Sequence, residues 1–376
     1  MSTADLQTTT EIALSDKSGT EWIKEHPLSR NDLEYVLYDI EETMDGLKIA
    51  AKTLMCNSRS ITDIDILQSF KNLQFINLSS NLITDISPLL NLTLVHELDC
   101  SSNKITWIPN FSWPFLTKLN LSNNKIKRIP RMAFPSLQII YLNNNSIRSL
   151  VDEDGNGLIQ EDNLPELHTL ELRQNNIKTE LPKLNHPLPE EQAADYQKFL
   201  QRIGLYHMGL KMLVLPENEI KTMALVYRPP ENIDSDKGMI LKVNPFGSRM
   251  GRLPNLVVLH LRGNGLRSLQ GFTREAFASL KYLNLRDNHI ANLEDLENLR
   301  ELVSLEHLIL TGNPVERMKK FRIELLILNI GLRRIDKEDY WAEDVEEAKS
   351  MMAKRNKLEE GGGKGKKLKN VLQSSK

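Results

Sequence analysis

Between Leu256 and Val315 the chain writes one pattern three times, as LVVLHLRGNGLRSL, LKYLNLRDNHIANL and LEHLILTGNPV. Each run fits L-x-x-L-x-L-x-x-N-x-L/I/V. In the second run, Leu280, Leu283, Leu285, Asn288, Ile290 and Leu293 occupy the fixed positions. Side chains alternate along a strand, so Leu283 and Leu285 share one face of a short strand. Leu280, Ile290 and Leu293 turn the same way as the chain bends round. Asn288 carries a donor and an acceptor on a short side chain, suited to main-chain groups where the chain leaves the strand. One such coil cannot bury its own apolar side, whereas stacked coils share a continuous core.

Each fixed position therefore has the physical task it has in a leucine-rich repeat. The repeat-position asparagines are Asn81, Asn103, Asn124, Asn145, Asn175, Asn218, Asn264, Asn288 and Asn313. Their successive steps are 22, 21, 21, 30, 43, 46, 24 and 25 residues. A period of about 22 residues leaves room on the convex side for a turn, not a long helix. The expected fold class is α/β, a leucine-rich-repeat solenoid with repeats over 55–313. Insertions near 151–163, 185–209 and 226–252 account for the long steps. The second insertion contains PEEQAADYQKFLQRIG, with Pro189, Glu190 and Glu191 as helix-start signals and Gly204 as a stop. The third, with Pro229 and Pro230, has the composition of a long loop. Cys100 takes the place of a strand leucine, as a buried apolar filler. Arg59 stands where an asparagine is expected, which makes the first coil degenerate.

A solenoid needs caps at its open ends. Residues 1–28 are rich in polar side chains and are expected to be disordered. Ser29 as an N-cap, with Leu33, Val36, Leu37, Ile40, Met44 and Leu47 at helical spacing, predicts a helical cap over 29–54. A C-terminal repeat cap is expected over 314–337 and a charged helix over 338–360. In that helix Trp341, Val345, Ala348 and Met352 form one stripe, either returning along the last coil or meeting a partner. Residues 361–376 are expected to be a flexible basic tail.

A formal net charge of −2 argues against a protein that works by coating nucleic acid. The 2 cysteines form no CxxC pair, no run approaches the ~20 apolar residues of a membrane span, and MSTADLQTTTE lacks a signal-peptide core. The expectation is a soluble intracellular chain with protein partners, no nucleic acid and no membrane. No HExxH or GxSxG is present, and GGGKGKK lacks the spacing of a phosphate loop. Neither an enzyme nor a cofactor is expected. Asp152, Asp154 and Asn156, followed by Gly157 and Ile159, match the early positions of a calcium loop. The last ligand position falls on Asn163, which cannot give a bidentate carboxylate. A solvated acidic loop is the preferred reading, with weak calcium binding at most.

The concave face holds the other candidates. By spacing, Phe75, Asn77, Asp99, Lys118, Asn120, Tyr141, Glu171, Arg173, Val214, His260, Arg262, Tyr282, Asn284 and Arg286 point away from the core. Tyr and Arg predominate in binding hot spots. Tyr141, Arg173, His260, Arg262, Tyr282 and Arg286 are therefore the candidate partner-binding residues.

Several stretches off the repeat consensus carry a closer likeness. GFTRE, ANLEDLENLRELVSLEHL, RRIDKEDYWAEDVEEA and HPLSRNDLEYVL resemble the leucine-rich repeat-containing protein 23 family of radial-spoke components. The likeness runs from about His26 to Ala348, interrupted by the insertions. It implies a scaffold of the axoneme in motile cilia or flagella, cytoplasmic and cytoskeletal, contacting radial-spoke head or stalk subunits. The alternative is a soluble repeat adaptor, for example of a phosphatase. An RNA-linked adaptor fits the charge balance less well.

Calorimetry checks the reading of the acidic loop. Calcium is expected to bind no tighter than the micromolar range of sensor loops, roughly 10⁻⁶ M or weaker. Sub-micromolar binding abolished by Asp152→Ala would contradict it.

Overall fold

The computed structural model describes residues 25–43, 46, 48–150, 158–159, 162–179, 207, 209–221 and 253–373, with main chain only beyond 357. Thirteen strands form one sheet. It begins with the antiparallel pair β1 (Leu37–Glu42) and β2 (Ile49–Met55). Parallel strands follow, one per coil: β3 (Phe75–Asn77), β4 (Glu97–Asp99), β5 (Lys118–Asn120), β6 (Ile139–Tyr141) and β7 (Thr169–Glu171). The small pair β8 (Lys178–Thr179) and β10 (Glu219–Ile220) lies outside this sheet. The main sheet continues through β9 (Met212–Val214), β11 (Val258–His260), β12 (Tyr282–Asn284), β13 (His307–Ile309) and β14 (Arg334–Ile335). It closes on the antiparallel β15 (Glu338–Asp339).

Each three-residue strand buries its middle residue; the flanks are half-buried, except that Phe75 and Glu97 at the start of β3 and β4 are exposed. The central residues stack in register from Leu54 through Ile76, Leu98 and Leu119 onwards. Leu283, Leu285 and Leu280 are fully buried. Cys100 is fully buried as well, and desolvation pushes its thiol well above the usual range.

The nine asparagines tie the coils together. Each is buried. Asn103 shows the wiring: its Nδ2 donates to the carbonyls of Leu78 at 2.9 Å and Cys100 at 3.1 Å. Its Oδ1 accepts the Ile83 N–H at 3.0 Å. One amide thus fastens its own coil to the preceding one. The long sequence steps do not interrupt this. Asn218 reaches the Leu172 carbonyl at 2.9 Å, and Asn264 reaches that of Leu215 at 3.0 Å. The strands on either side of each long step are therefore adjacent and in register.

The residue before each of these asparagines has positive φ: Ser80, Ser102, Asn123, Asn144, Gln174, Glu217, Gly263, Asp287 and Gly312. That left-handed step turns the strand end so that the amide points into the coil. At Gly312, with φ 84°, a Cβ would also run into the Asp287 carboxylate.

The N-terminal cap differs from the expected helix over 29–54. Ser29 does cap a helix, and Ser29 and Asp32 form a reciprocal capping box, but α1 spans only Arg30–Leu33. The two Ser29 hydrogen bonds hold the Asp32 carboxyl below its usual range. Beyond α1 the hairpin β1–β2 takes over. Tyr35, Val36, Leu37, Tyr38 and Ile40 are aromatic, branched or apolar residues that sit well on a pleated surface. The open edge of β3 offers main-chain groups that only a strand can pair. Leu33 and Val36 stay buried while Ile40 is 64% exposed, so the presumed helical stripe splits. Met44 and Leu47 lie outside the described residues.

At the other end, residues 314–337 form a 3-10 turn, then α2 (Phe321–Leu328), then β14. The expected helix over 338–360 starts later and runs further. Glu338 and Asp339 are spent on β15, and α3 spans Ala342–Gln373. It therefore passes through Gly361, Gly362 and Gly363 and most of the segment expected to be a flexible tail. No proline interrupts it, and the Lys, Leu and Glu around the glycines favour helix. Val345, Ala348 and Met351 pack on the core, while Trp341 is 68% exposed. The stripe thus turns back onto the last coil through Val345 and Ala348, whereas Trp341 and Met352 are exposed and Met351 packs in place of Met352. Arg355 and Glu324 fasten α3 to α2 at 2.6 Å, and the Arg322 guanidinium lies 4.7 Å from the Tyr340 ring centre.

Asn288→Ala is expected to destabilise the fold by about 1–3 kcal/mol, because buried main-chain groups lose their partner. Leu283→Ala is expected to cost about 2–5 kcal/mol through the cavity it leaves. Urea unfolding measures both. Wild-type midpoints for either variant would contradict the register.

Candidate functional site

The concave face is built from the residues that flank each buried strand centre. The end of each strand contributes Tyr141, Glu171, Val214 and His260 in turn across β6, β7, β9 and β11. Two residues further along, Arg173, Arg262 and Arg286 stand beside the left-handed step. Rigid hydrogen bonding sets their main chain. The Arg173 N–H donates to Asn143 Oδ1 at 2.8 Å, and the Arg286 N–H to Asn284 Oδ1 at 3.1 Å.

The candidates fall into two groups and one outlier. His260 and Tyr282 are in contact, with ring centres 5.1 Å apart, and His307 continues the row 6.3 Å from Tyr282. Desolvation lowers the His260 pKa, and nearby Glu171 only partly opposes it. Desolvation likewise raises that of the Tyr282 hydroxyl. Arg262 and Arg286 meet on Asp287, at 3.0 Å and 3.3 Å. Arg173 pairs with Glu217 at 3.2 Å. Tyr141 stands apart: four strand steps of about 4.8 Å put it roughly 19 Å from Tyr282. Between them lies an open cleft of about 410 Å³, lined in part by Asn143, Glu171, Arg173, Met212, Val214 and His260.

The arginines are thus ion-paired side chains on an exposed surface. Such pairs add little to stability, but they hold the guanidinium planes in place for a partner. The acids Glu217 and Asp287 were missed because they sit on the left-handed step, outside the alternation that marks outward residues. A diagonal rule would have found them: an Arg before one step faces the acid on the step of the next coil. Arg173 with Glu217 and Arg262 with Asp287 both follow it. His307 and Met212 were also missed, as ordinary strand-start positions.

Asp152, Asp154 and Asn156 lie outside the described residues. Among the described residues no group of three His, Cys, Asp or Glu could hold a metal ion. No helix among them is long and apolar enough to cross a membrane.

Stacked coils with an in-register strand face and an asparagine ladder define a leucine-rich-repeat scaffold, a class that binds proteins. A leucine-rich-repeat family model matches residues 254–315, and a two-copy repeat model matches 52–91, 71–113 and 114–158. The human leucine-rich repeat-containing protein 23 is 31% identical over 328 residues, 87% of this chain and 80% of that protein. The chain belongs to the leucine-rich repeat-containing protein 23 family. A U2 small nuclear ribonucleoprotein A′ of Emericella nidulans is 35% identical over a shorter stretch, 31% of this chain and 50% of that protein. A solved leucine-rich-repeat protein of Leptospira interrogans shares 21% identity over 73% of this chain and 57% of its own, with a TM-score of 0.48.

His260 gives the face a pH dependence. Its folded pKa is depressed, so the unfolded chain binds the proton more readily. The stability it contributes is present above the unfolded value of about 6.5 and is lost as pH falls from there through the lower folded value. NMR titration should place the His260 midpoint below that of a free imidazole. A midpoint at or above about 6.5 would contradict the partial burial.

Proposed function

We propose that the chain is a non-enzymatic scaffold subunit of the axoneme in motile cilia or flagella. Its partners are proteins, of the kind that form radial-spoke heads or stalks. The observation that carries this reading is the continuous concave face from Tyr141 to Arg286, where paired arginines flank the row of His260, Tyr282 and His307. A rigid face of aromatic and guanidinium groups suits protein recognition, because little side-chain freedom is lost on contact. Family membership supports the axonemal setting through the stretches GFTRE and IDKEDY that lie off the repeat consensus.

A soluble adaptor, for instance of a phosphatase, is the competing reading. The partial match to U2 small nuclear ribonucleoprotein A′ adds an RNA-linked version. That match covers less than a third of the chain, and the net charge of −2 gives no electrostatic drive towards nucleic acid.

Detergent extraction of ciliated cells separates the readings. The native protein is expected to stay with the axonemes, and recovery wholly in the soluble fraction would exclude the axonemal role. Arg262→Glu with Arg286→Glu is expected to reduce incorporation about tenfold, roughly 1.4 kcal/mol, without a large change in melting. Full incorporation of the double variant would move the contact away from the concave face.

A further inference from the structure

Among the described residues, the first strand of the sheet has an unpaired edge. Among them β1 pairs only with β2, and the sheet order begins with it. An unpaired edge presents a row of N–H and C=O groups that can template another strand. β1 also exposes large apolar side chains. Tyr38 is 50% exposed and Ile40 64%, on the same face as their cross-strand neighbours Thr53 and Ala51. Ile49, 73% exposed, sits opposite Glu42 on that face. Through Thr53, which pairs with Phe75, the apolar face runs on to Met55 and Phe75. This end of the concave surface is therefore apolar, unlike the Arg-rich end described above.

Charge decides what fits. β1 reads LYDIEE, so three of its six residues are acids. Glu41 is paired with Lys52, and Asp39 accepts from Thr53 Oγ1 at 2.5 Å. Glu42 projects on the apolar face with no ion-pair partner among the described residues. Two copies of β1 side by side would bring these acids together, which disfavours self-pairing. An added strand with alternating apolar and basic residues would complete the edge hydrogen bonds, cover Tyr38 and Ile40, and neutralise Glu42.

We propose that β1 is a strand-addition site for an extended, basic, alternating segment of a partner protein. This contact is separate from the Arg-rich face and stands without the axonemal reading. Strand addition draws affinity from main-chain hydrogen bonds and specificity from alternate side chains.

The test uses the full chain and a fluorescent heptapeptide, Lys-Val-Lys-Ile-Lys-Val-Lys, followed by anisotropy. Two control peptides accompany it: one with Glu for every Lys, and one N-methylated at alternate amides. The basic peptide is expected to bind, and to slow amide exchange in β1 but not in β12. Ile40→Lys and Tyr38→Lys, both at exposed positions and checked by melting, should each weaken binding about tenfold or more. Arg262→Glu with Arg286→Glu should leave it unchanged. No binding of the basic peptide would overturn the proposal. Equal binding of the acidic or N-methylated peptide would also overturn it. So would a chain that sediments as a dimer through β1 and becomes monomeric in Ile40→Lys, since the occupant would then be a second copy.

Discussion

The structure depends on one interaction, a buried primary amide shared between neighbouring coils. Stacking short strands leaves main-chain groups at each strand end with nowhere to pair, and leaving them unpaired inside the molecule costs about 1–3 kcal/mol each. Asparagine answers both needs at once, since Nδ2 donates twice while Oδ1 accepts. Aspartate could not donate, and glutamine would carry one more rotatable bond into the same space. The left-handed residue before each asparagine is part of the same device, because it aims the amide inward. Leucines supply the driving force of burial, but they are tolerant of small shifts. The amides fix the register.

The ends show what happens when the device runs out. At the C-terminus Asp336 caps the end of β13: its Oδ1 accepts from the N–H groups of Leu310 and Thr311, each at 2.8 Å. A carboxylate serves there because both of its main-chain partners are donors. Asn329 meets the carbonyls of Leu299 and Leu302, and α2 with α3 covers the last leucines. At the N-terminus Asn81 reaches back to a coil that lacks an amide of its own, accepting from Arg59 and Ile61, both at 3.0 Å. There an antiparallel hairpin terminates the parallel sheet. The two ends differ: helices cover the C-terminal end, whereas among the described residues no further strand pairs with the N-terminal edge.

Much of this was legible before any coordinates, and the reason is periodicity. Leu283, Leu285 and Asn288 recur in a pattern that only one kind of coil satisfies, so strands, core and ladder could be placed by counting. The hairpin was not legible. Leu33, Val36 and Ile40 fit helical spacing, and what overrules them is a sheet edge formed by residues distant in sequence. Asp336 was hidden for a similar reason, because its role is defined by the coil it caps and no repeat surrounds it. At the concave face the outward positions of Tyr282 and Arg262 follow from alternation. That Arg262 and Arg286 converge on Asp287 does not, since the contact crosses between coils diagonally.

The central claim is that the ladder holds one continuous register even across the long insertions, so that the whole concave face acts as a single rigid surface. Native-state amide exchange tests this most directly, because it reports local opening residue by residue. The N–H groups of Ile177 and Ile220 donate to Asn218 and Asn264, each at 3.1 Å. They should exchange as slowly as those of Ile83 and Ile105, which belong to coils of ordinary spacing. Rapid exchange at Ile177 and Ile220 beside slow exchange at Ile83 and Ile105 would mean that the solenoid breaks at the insertions, and would contradict the account.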